Sequence, residues 1–327
     1  MSVSLLSVLA FSSHLLTLLT LLRLTQQTLL PFLQYKILTN KSQAERLSES
    51  QWKRKLVLIT GATSGIGEEM ARKLNGLGAS LILTGRNTQK LSSLQNELGE
   101  NVKMTLEADL TSLEGVQSLS RRVLGSCVKL DVLVLNAGRS TIKSFDQYDL
   151  NELDSDGRDI MELNFFSPVF MCKLLEPILR KGCSPAKKAA HSAGGHVLVT
   201  SSVAGRVGVY NRTMYCASKF AVNGFFEALR REWEGKIAVS VICPGFVTTN
   251  IHFNALGAEK GTVKRDLRKF ITPENCVEHM LLMVEKNVPF RTIPLSKEFL
   301  LGYVSWLMPD ALKTYFIKKE NVVKVEQ

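Results

Sequence analysis

From Leu56 onward, short apolar runs alternate with longer stretches of helical character. Continuous apolar runs are typical of parallel strands buried on both faces, and strands that alternate with helices form right-handed βαβ units. The runs predicted to be strands are Leu56–Thr60, Ser80–Thr84, Val102–Glu107, Val132–Asn136, His196–Ser201 and Ile237–Ile242. Helices are predicted between them, for example over Gly67–Leu77 and Asn87–Leu98. The pattern therefore predicts an α/β protein with a doubly wound parallel sheet in a single domain.

The N-terminal run Ser4–Leu22 contains no Lys, Arg, Asp or Glu. Because about 20 apolar residues span a bilayer, we predict a hydrophobic anchor helix, a membrane anchor or signal-anchor, over residues 1–24. A cleaved signal peptide and a buried or interfacial helix are the alternatives. The basic residues that follow the run favour a cytosolic location for the domain that comes after it.

The remaining chain divides into three predicted parts. Residues 25–52 are a linker, residues 53–290 are the catalytic domain, and residues 291–327 are an apolar and basic extension. Aromatic and apolar residues over Phe299–Ile317 are flanked by lysines. Such a segment is expected to lie in a membrane interface or to cover the partner in a homodimer.

The net charge of +11 raises the question of a nucleic-acid partner. Lysines and arginines are scattered, and no localised basic face with base-stacking aromatic residues is evident, so we expect no nucleic-acid binding. Six cysteines are widely spaced without a C-x-x-C pair. The sequence therefore predicts neither a disulfide framework nor a metal site.

The first predicted strand runs directly into a glycine-rich turn and then into a helix. Glycine is needed where backbone must turn tightly and approach a pyrophosphate, and the N–H groups of the helix N-terminus attract that anion. A strand before the turn and a helix after it are the context of a Rossmann-type dinucleotide site. The candidate cofactor-binding residues of this turn are Gly61, Thr63, Ser64, Gly65, Ile66 and Gly67.

The second predicted strand ends in Gly85-Arg86, without the acid that usually meets a free ribose 2′-hydroxyl. An arginine at this place can pair with a 2′-phosphate. The sequence therefore favours NADP(H) over NAD(H), and the alternative is that Arg86 is a solvated residue at the start of a helix.

Two further turns follow predicted strands. Asp109, followed by Leu110, is a candidate to accept a hydrogen bond from the adenine amino group, or else to cap the helix near Thr111. Small residues after the fourth strand leave room for a cofactor to lie across the strand ends. These candidates are Asn136, Ala137 and Gly138.

Ser202 follows the fifth predicted strand, and Tyr215 and Lys219 come later, four positions apart. That spacing places Tyr215 and Lys219 on one face of a helix. A fixed ammonium favours the phenolate, so we expect Lys219 to lower the pKa of Tyr215 and make it an acid/base near neutral pH. Ser202 would hold the substrate oxygen.

With these residues the chain resembles the short-chain dehydrogenase/reductase family from about Leu56 to Met283. The matching patterns are T-G-x-x-x-G-I-G at Thr60–Gly67, N-A-G at Asn136–Gly138, a helix asparagine at Asn164, the Ser202–Tyr215–Lys219 set, and P-G-x-x-x-T at Pro244, Gly245 and Thr249. The resemblance implies that Tyr215 exchanges the proton, that Lys219 also bonds the nicotinamide ribose, and that Asn164 supports a water relay. It further implies that Thr249 and the Val247 backbone, with Thr248 as a further candidate, bind the nicotinamide carboxamide, and that Tyr215 and Pro244 also contact the cofactor.

A narrower resemblance is carried by Leu135–Ser140, by Ile242–Gly245, and by Asn250 with Leu256–Glu259. Together with the two apolar ends, these segments resemble dehydrogenase/reductase family member seven and its 11β-hydroxysteroid-dehydrogenase-like relatives. That resemblance implies a reductase in the endoplasmic reticulum membrane that acts on lipophilic carbonyls such as retinal or steroids.

Three functions stay open from the sequence. They are reduction with NADPH, oxidation of the alcohol with NAD(P)+, and a noncatalytic membrane-bound binding protein. The stretch Asn250–Phe270 is expected to be either a lid over an apolar substrate pocket or a packed surface helix.

Overall fold

The computed structural model of the protein describes residues 47–186, 194–249, 251, 255–256 and 270–293. Seven parallel strands form one sheet within them. They are β1 (Leu56–Thr60), β2 (Ser80–Gly85), β3 (Val102–Glu107), β4 (Val132–Leu135), β5 (His196–Thr200), β6 (Ala238–Pro244) and β7 (Phe290–Ile293). The predicted α/β fold with a parallel sheet is confirmed, and the sequence pattern missed β7.

Helices cover both faces of the sheet. They are α1 (Glu49–Trp52), α2 (Gly65–Gly76), α3 (Thr88–Leu98), α4 (Leu113–Ser126), α5 (Leu150–Met161), α6 (Ser167–Leu179), α7 (Thr213–Glu232) and α8 (Pro273–Glu285). A π-helical turn, Glu162–Phe166, joins α5 to α6, and short 3₁₀ turns lie at Gly99–Asn101, Phe145–Gln147 and Val203–Gly205. One apolar core includes α2, α3 and α8, and the other includes α4, α6 and α7. Two cores on one sheet are the doubly wound arrangement.

The strand order is β3-β2-β1-β4-β5-β6-β7. The chain runs outward from β1 to β3 and then crosses back to β4, so the order reverses between β1 and β4. Ligands of open parallel sheets bind outside the carboxyl ends of the strands at such a switch point. Thr60 at the end of β1 and Asn136 just after β4 lie at this point.

The end of the predicted linker packs on the domain. Trp52 is fully buried, and its indole N–H donates to Glu285 Oε1 at 2.7 Å. The same carboxylate oxygen accepts from the backbone amide of Ser48 at 2.9 Å. Helix α1 is thereby joined to the end of α8.

Among the helices in the described part of the chain, none is long and apolar enough to cross a bilayer. The predicted anchor at residues 1–24, most of the stretch Asn250–Phe270, and the segment Phe299–Ile317 lie outside the described residues.

Candidate active site

The turn between β1 and α2 needs glycine for two different reasons. Gly61 and Gly65 have φ of +66° and +55°, in the left-handed region that disfavours other residues. A Cβ at Gly67 would instead collide with the carbonyl oxygen of Gly61. Helix α2 begins at Gly65, so its free N–H groups point toward the switch point. The turn has the form that a pyrophosphate site requires.

Thr60 joins the ends of β1 and β4. Its hydroxyl donates to the carbonyl oxygen of Val134 at 3.2 Å. The Thr60 hydroxyl oxygen also accepts from the backbone amides of Asn136 at 2.9 Å and Ala137 at 3.0 Å. The Asn136 amide group donates back to the Thr60 carbonyl at 3.2 Å. These bonds fix the floor of a cleft between the two strands.

Most of the predicted site residues line this one cleft. They are Gly61, Ser64, Gly65, Ile66, Arg86, Asn136, Ala137, Gly138, Ser202, Tyr215, Lys219, Pro244, Val247 and Thr249. The predicted residues that are not part of this lining are Thr63, Gly67, Asp109, Leu110, Asn164 and Thr248. The sequence reasoning missed several lining residues, including Arg139, Leu163, Val209 and Arg212, whereas Ile251 belongs to the stretch Asn250–Phe270 that was expected to cover a substrate pocket.

Arg86 extends the cleft toward the start of α3. A shallow depression is lined by Arg86, Asn87, Thr88 and Gln89. Asn87 caps α3, because its side-chain oxygen accepts from the amide of Lys90 at 2.9 Å. A guanidinium thus lies beside a capped helix N-terminus, and both attract an anion.

Asp109 does not cap a helix. Its Oδ1 accepts from the Thr111 amide at 3.1 Å and from the Thr111 hydroxyl at 2.9 Å, whereas Ser112 caps α4. Partial burial opposes ionisation of Asp109, but the Thr111 bonds and the charges of Arg86 and Arg139 hold its pKa below the usual range. The carboxylate is therefore charged at neutral pH.

Tyr215 and Lys219 lie one turn apart on α7, and both are buried. The Lys219 ammonium donates to the Thr200 carbonyl at 3.0 Å and lies 5.9 Å from the centre of the Tyr215 ring. Ser202 comes just after β5, and its oxygen accepts from the Ala204 amide at 3.1 Å. The Ser202 side chain also lies close enough to Tyr215 to favour its phenolate form. The structure therefore brings the three predicted groups together.

The electrostatics differ from the expectation. Burial raises the pKa of Tyr215, while the Ser202 side chain and the charge of Arg212 act to lower it. Burial also lowers the pKa of Lys219 to about 8. The expected lowering of the Tyr215 pKa is thus wrong for the protein alone, because desolvation of the phenolate outweighs the nearby positive charge.

Arg212 is the charged residue that sequence reasoning missed beside Tyr215. Only 3% of its surface is exposed, and its guanidinium carbon lies 5.8 Å from the centre of the Tyr215 ring. Its Nη1 donates to the Ser140 hydroxyl at 2.5 Å. Arg212 stands three positions before Tyr215, and this spacing places the two residues on one side of a helical turn. The spacing was the one signal in the sequence that the two side chains lie near each other.

Asn164 lies in the π-helical turn and is buried. Its side chain accepts from the Arg139 amide at 2.9 Å and donates to the Arg139 carbonyl at 2.9 Å. It also donates to the Ser218 hydroxyl at 3.0 Å. A Cβ placed on Gly138 would lie 3.1 Å from Asn164 Oδ1 and 3.7 Å from Lys219 Nζ. Both polar atoms therefore face the same small region beside Gly138.

The segment after β6 is held against the strand end by Ile271. Thr248 donates its amide to the Ile271 carbonyl at 3.0 Å, and its hydroxyl donates to the same oxygen at 3.4 Å. Thr248 is thus turned away from the cleft. Thr249 faces the glycine-rich turn, because its Cγ2 would lie 3.0 Å from a Cβ on Gly65.

A parallel sheet, a glycine-rich turn at its switch point and a Ser–Tyr–Lys set in one cleft define the class, which is that of nicotinamide-dependent oxidoreductases with a Rossmann-type fold. Residues 55–259 match the family model described as short chain dehydrogenase. The chain belongs to the short-chain dehydrogenase/reductase family.

Similar proteins bear names from one group of that family. Dehydrogenase/reductase SDR family protein 7-like of Dictyostelium discoideum is 30% identical over 272 residues, which cover 81% of each chain. Dehydrogenase/reductase SDR family member 7B of Xenopus laevis is 34% identical over 244 residues, which cover 70% of each chain. The predicted resemblance to this group is confirmed.

Solved structures share the fold. A short chain dehydrogenase from Escherichia coli CFT073, complexed with NADPH, has a TM-score of 0.62 at 26% identity. The match covers 75% of this chain and 98% of that one. The protein is therefore an oxidoreductase of this family.

Proposed function

We propose that the enzyme transfers a hydride between NADP(H) and the carbon of a lipophilic ketone, aldehyde or secondary alcohol, with Tyr215 as the acid/base. One observation carries the proposal. The hydroxyls of Tyr215 and Ser202 and the ammonium of Lys219 converge in the cleft that the glycine-rich turn opens.

The three side chains have distinct roles in this proposal. Tyr215 gives its proton to the carbonyl oxygen during reduction and takes it back during oxidation. Ser202, which lies close to Tyr215, holds the substrate oxygen beside that proton. Lys219 is fixed by the Thr200 carbonyl and contributes positive charge next to the phenol. Bound NADP(H) supplies or accepts the hydride.

Asn164 and the segment after β6 would complete the site. Asn164 Oδ1 and Lys219 Nζ both face Gly138, which supports a water between them that replaces the proton of Tyr215. Val247 and Thr249 line the cleft and would hold the nicotinamide carboxamide. We assign Thr248 no contact with the cofactor, because its hydroxyl bonds Ile271.

The preference for NADP(H) is supported by Arg86. It lines the cleft beside the N-terminus of α3, and β2 ends in Gly85 rather than in an acid. Charge-assisted bonds from a guanidinium suit a phosphate, whereas a free 2′-hydroxyl is usually met by a carboxylate. The fit is to a cofactor that carries a 2′-phosphate.

The lipophilic substrate class is supported by apolar side chains in the cleft. Apolar side chains of Leu163, Val203, Val209 and Ile251 line it. Backbone hydrogen bonds of 2.9 Å each join Leu256 to Ser140 and Ile142, which places Leu256 beside the segment that follows Arg139. Retinal, steroids and similar carbonyls are the substrates that we propose.

We further propose a location at the endoplasmic reticulum membrane with the catalytic domain in the cytosol. The support is the uncharged run Ser4–Leu22 and the aromatic segment Phe299–Ile317, both at the sequence level. The same C-terminal segment is the proposed contact with the membrane or with a second copy of the chain.

The experiment is a screen of retinal, steroid and small dicarbonyl substrates with NADPH and with NADH, by the absorbance of the reduced nicotinamide. We expect turnover of at least one lipophilic carbonyl and a higher kcat/KM with NADPH. Binding of NADPH without turnover of any of these carbonyls or of their alcohols would favour a noncatalytic protein.

A further inference from the structure

Arg139 directly follows the Asn136–Gly138 turn, and its side chain lines the same cleft as Arg86. Its backbone is held from both sides by the side chain of Asn164, at 2.9 Å to the amide and 2.9 Å to the carbonyl. Only 20% of its side chain is exposed. The position of Arg139 is therefore set by a residue of the catalytic end of the cleft.

The guanidinium of Arg139 is also anchored. Its Nη1 forms an ion pair with the carboxylate of Asp159 on α5. A planar guanidinium carries five N–H donors, so an ion pair through one nitrogen leaves donor capacity on the others. The anchor orients the group and does not exhaust it.

Arg86 and Arg139 both line the cleft, and their positive charges act on each other. Burial and the charge of Arg86 both lower the pKa of Arg139, while Asp109 and Asp156 act in the opposite direction. The same two arginines lower the pKa of Asp109. Two guanidiniums therefore act on one region of the cleft, next to the carboxylate of Asp109, which follows β3.

Like charges held near one another cost free energy, which the Asp109 carboxylate offsets in part and which a further anion bound by both guanidiniums would offset more fully. Arginine is suited to such an anion, because its fork of donors matches the oxygens of a phosphate. We propose that Arg139 is a second residue that reads the 2′-phosphate of NADP(H), and that Arg86 and Arg139 bind this group together. The inference rests on the proposed NADP(H) preference.

The test is equilibrium binding and needs no substrate. Full-length protein is titrated with NADPH and with NADH by nicotinamide fluorescence, and with adenosine 2′,5′-bisphosphate and AMP by calorimetry. For Arg139→Leu we expect the Kd for NADPH and for the bisphosphate to rise about tenfold or more, the value of one charge-assisted bond. The Kd for NADH and for AMP should change less than about twofold.

Three further variants sharpen the result. Arg139→Lys keeps the charge and should retain most of the NADPH affinity. Asp159→Asn removes the anchor and should weaken NADPH selectively, which keeps the proposal testable if Arg139→Leu does not fold. Arg158→Leu is the matched control, because the Arg158 side chain is 78% exposed on α5, the helix that carries Asp159. This variant should bind both cofactors as the wild type does.

Four outcomes would contradict the inference. Equal weakening of NADPH and NADH would assign Arg139 to the adenine or to the fold, and unchanged NADPH affinity in Arg139→Leu would remove any contact. If the wild type itself binds NADH as tightly as NADPH, the proposed cofactor preference fails, and the inference fails with it. If Arg86→Asp loses the preference while Arg139→Leu keeps it, only the role of Arg139 is contradicted.

Discussion

At the residue scale, burial shifts the pKa values of three titratable side chains in the cleft. Tyr215, Lys219 and Arg212 are all nearly excluded from water. Desolvation disfavours each charged form, so the pKa of Tyr215 is raised and those of Lys219 and Arg212 are lowered. Arg212 then serves as a fixed positive charge close to the Tyr215 phenol. This arginine is not part of the sequence motif.

Removing this charge should raise the pKa of Tyr215 further. In alcohol oxidation the phenolate is the active form, so Arg212→Met should move the rising limb of kcat to higher pH. The kcat at pH 7 should fall about tenfold. The measurement is the pH profile of alcohol oxidation for both proteins.

Arg212→Lys is the control for charge, and Ser140→Ala is the control for the lost hydrogen bond. Both should keep a profile close to that of the wild type. An unshifted limb in Arg212→Met would show that this charge does not act on Tyr215.

A second residue-scale prediction concerns stability in acid. His196 is fully buried between Ser184 and Ser240, and the Ser240 hydroxyl donates to the Val288 carbonyl at 2.6 Å. His196 Nε2 therefore donates to Ser240 at 2.8 Å, and the ring is neutral. Burial lowers the pKa of His196 to about 3.

Because the folded pKa lies below the unfolded value near 6.5, the stabilisation is present above pH 6.5 and is lost as pH falls toward 3. Between pH 6.5 and pH 5 the free energy of unfolding should fall by roughly 2 kcal/mol. Urea denaturation at several pH values measures this slope. In His196→Gln the free energy of unfolding should fall less steeply as the pH is lowered. His279→Gln is the comparison variant, because burial also lowers the pKa of His279 to about 4.

At the scale of elements, continuous apolar runs identified six strands and shorter polar-containing elements were missed. Strand β7 is Phe-Arg-Thr-Ile, and Arg291 and Thr292 are buried in it. Helix α1 has four residues, and Trp52 is buried by its contact with α8. Both elements depend on partners that are distant in sequence, so a local pattern does not predict them.

Asp131 connects several elements at the amino ends of the central strands, opposite the cleft. It is fully buried just before β4, and its carboxylate accepts from the amides of Leu56 and Cys183 at 2.8 Å each. Asp131→Ala leaves these two amides without their partner and should lower the free energy of unfolding by about 3 kcal/mol. Urea denaturation checks this, and Asp146→Ala on the surface should change it by less than about 0.5 kcal/mol. An equal loss in both variants would contradict the structural role of Asp131.

At the scale of the whole molecule, the glycine-rich turn and the Ser–Tyr–Lys set were predictable because chemistry requires particular residues at fixed spacing. Arg139 and Arg212 were not, since their roles follow from contacts with Asp159 and Ser140 that only the fold creates. Thr248 shows the opposite case: it stands inside a motif, but the fold turns its hydroxyl to Ile271.

In the proposed mechanism Tyr215 moves the proton, and the cleft binds the cofactor without needing the Tyr215 hydroxyl. The decisive measurement compares kcat and the Kd for NADPH in Tyr215→Phe and in Tyr210→Phe, an exposed tyrosine nearby in sequence. Loss of general acid–base catalysis should lower kcat by about a hundredfold or more in Tyr215→Phe, with NADPH affinity unchanged. Tyr210→Phe should match the wild type. Turnover of Tyr215→Phe at the wild-type rate would contradict the mechanism.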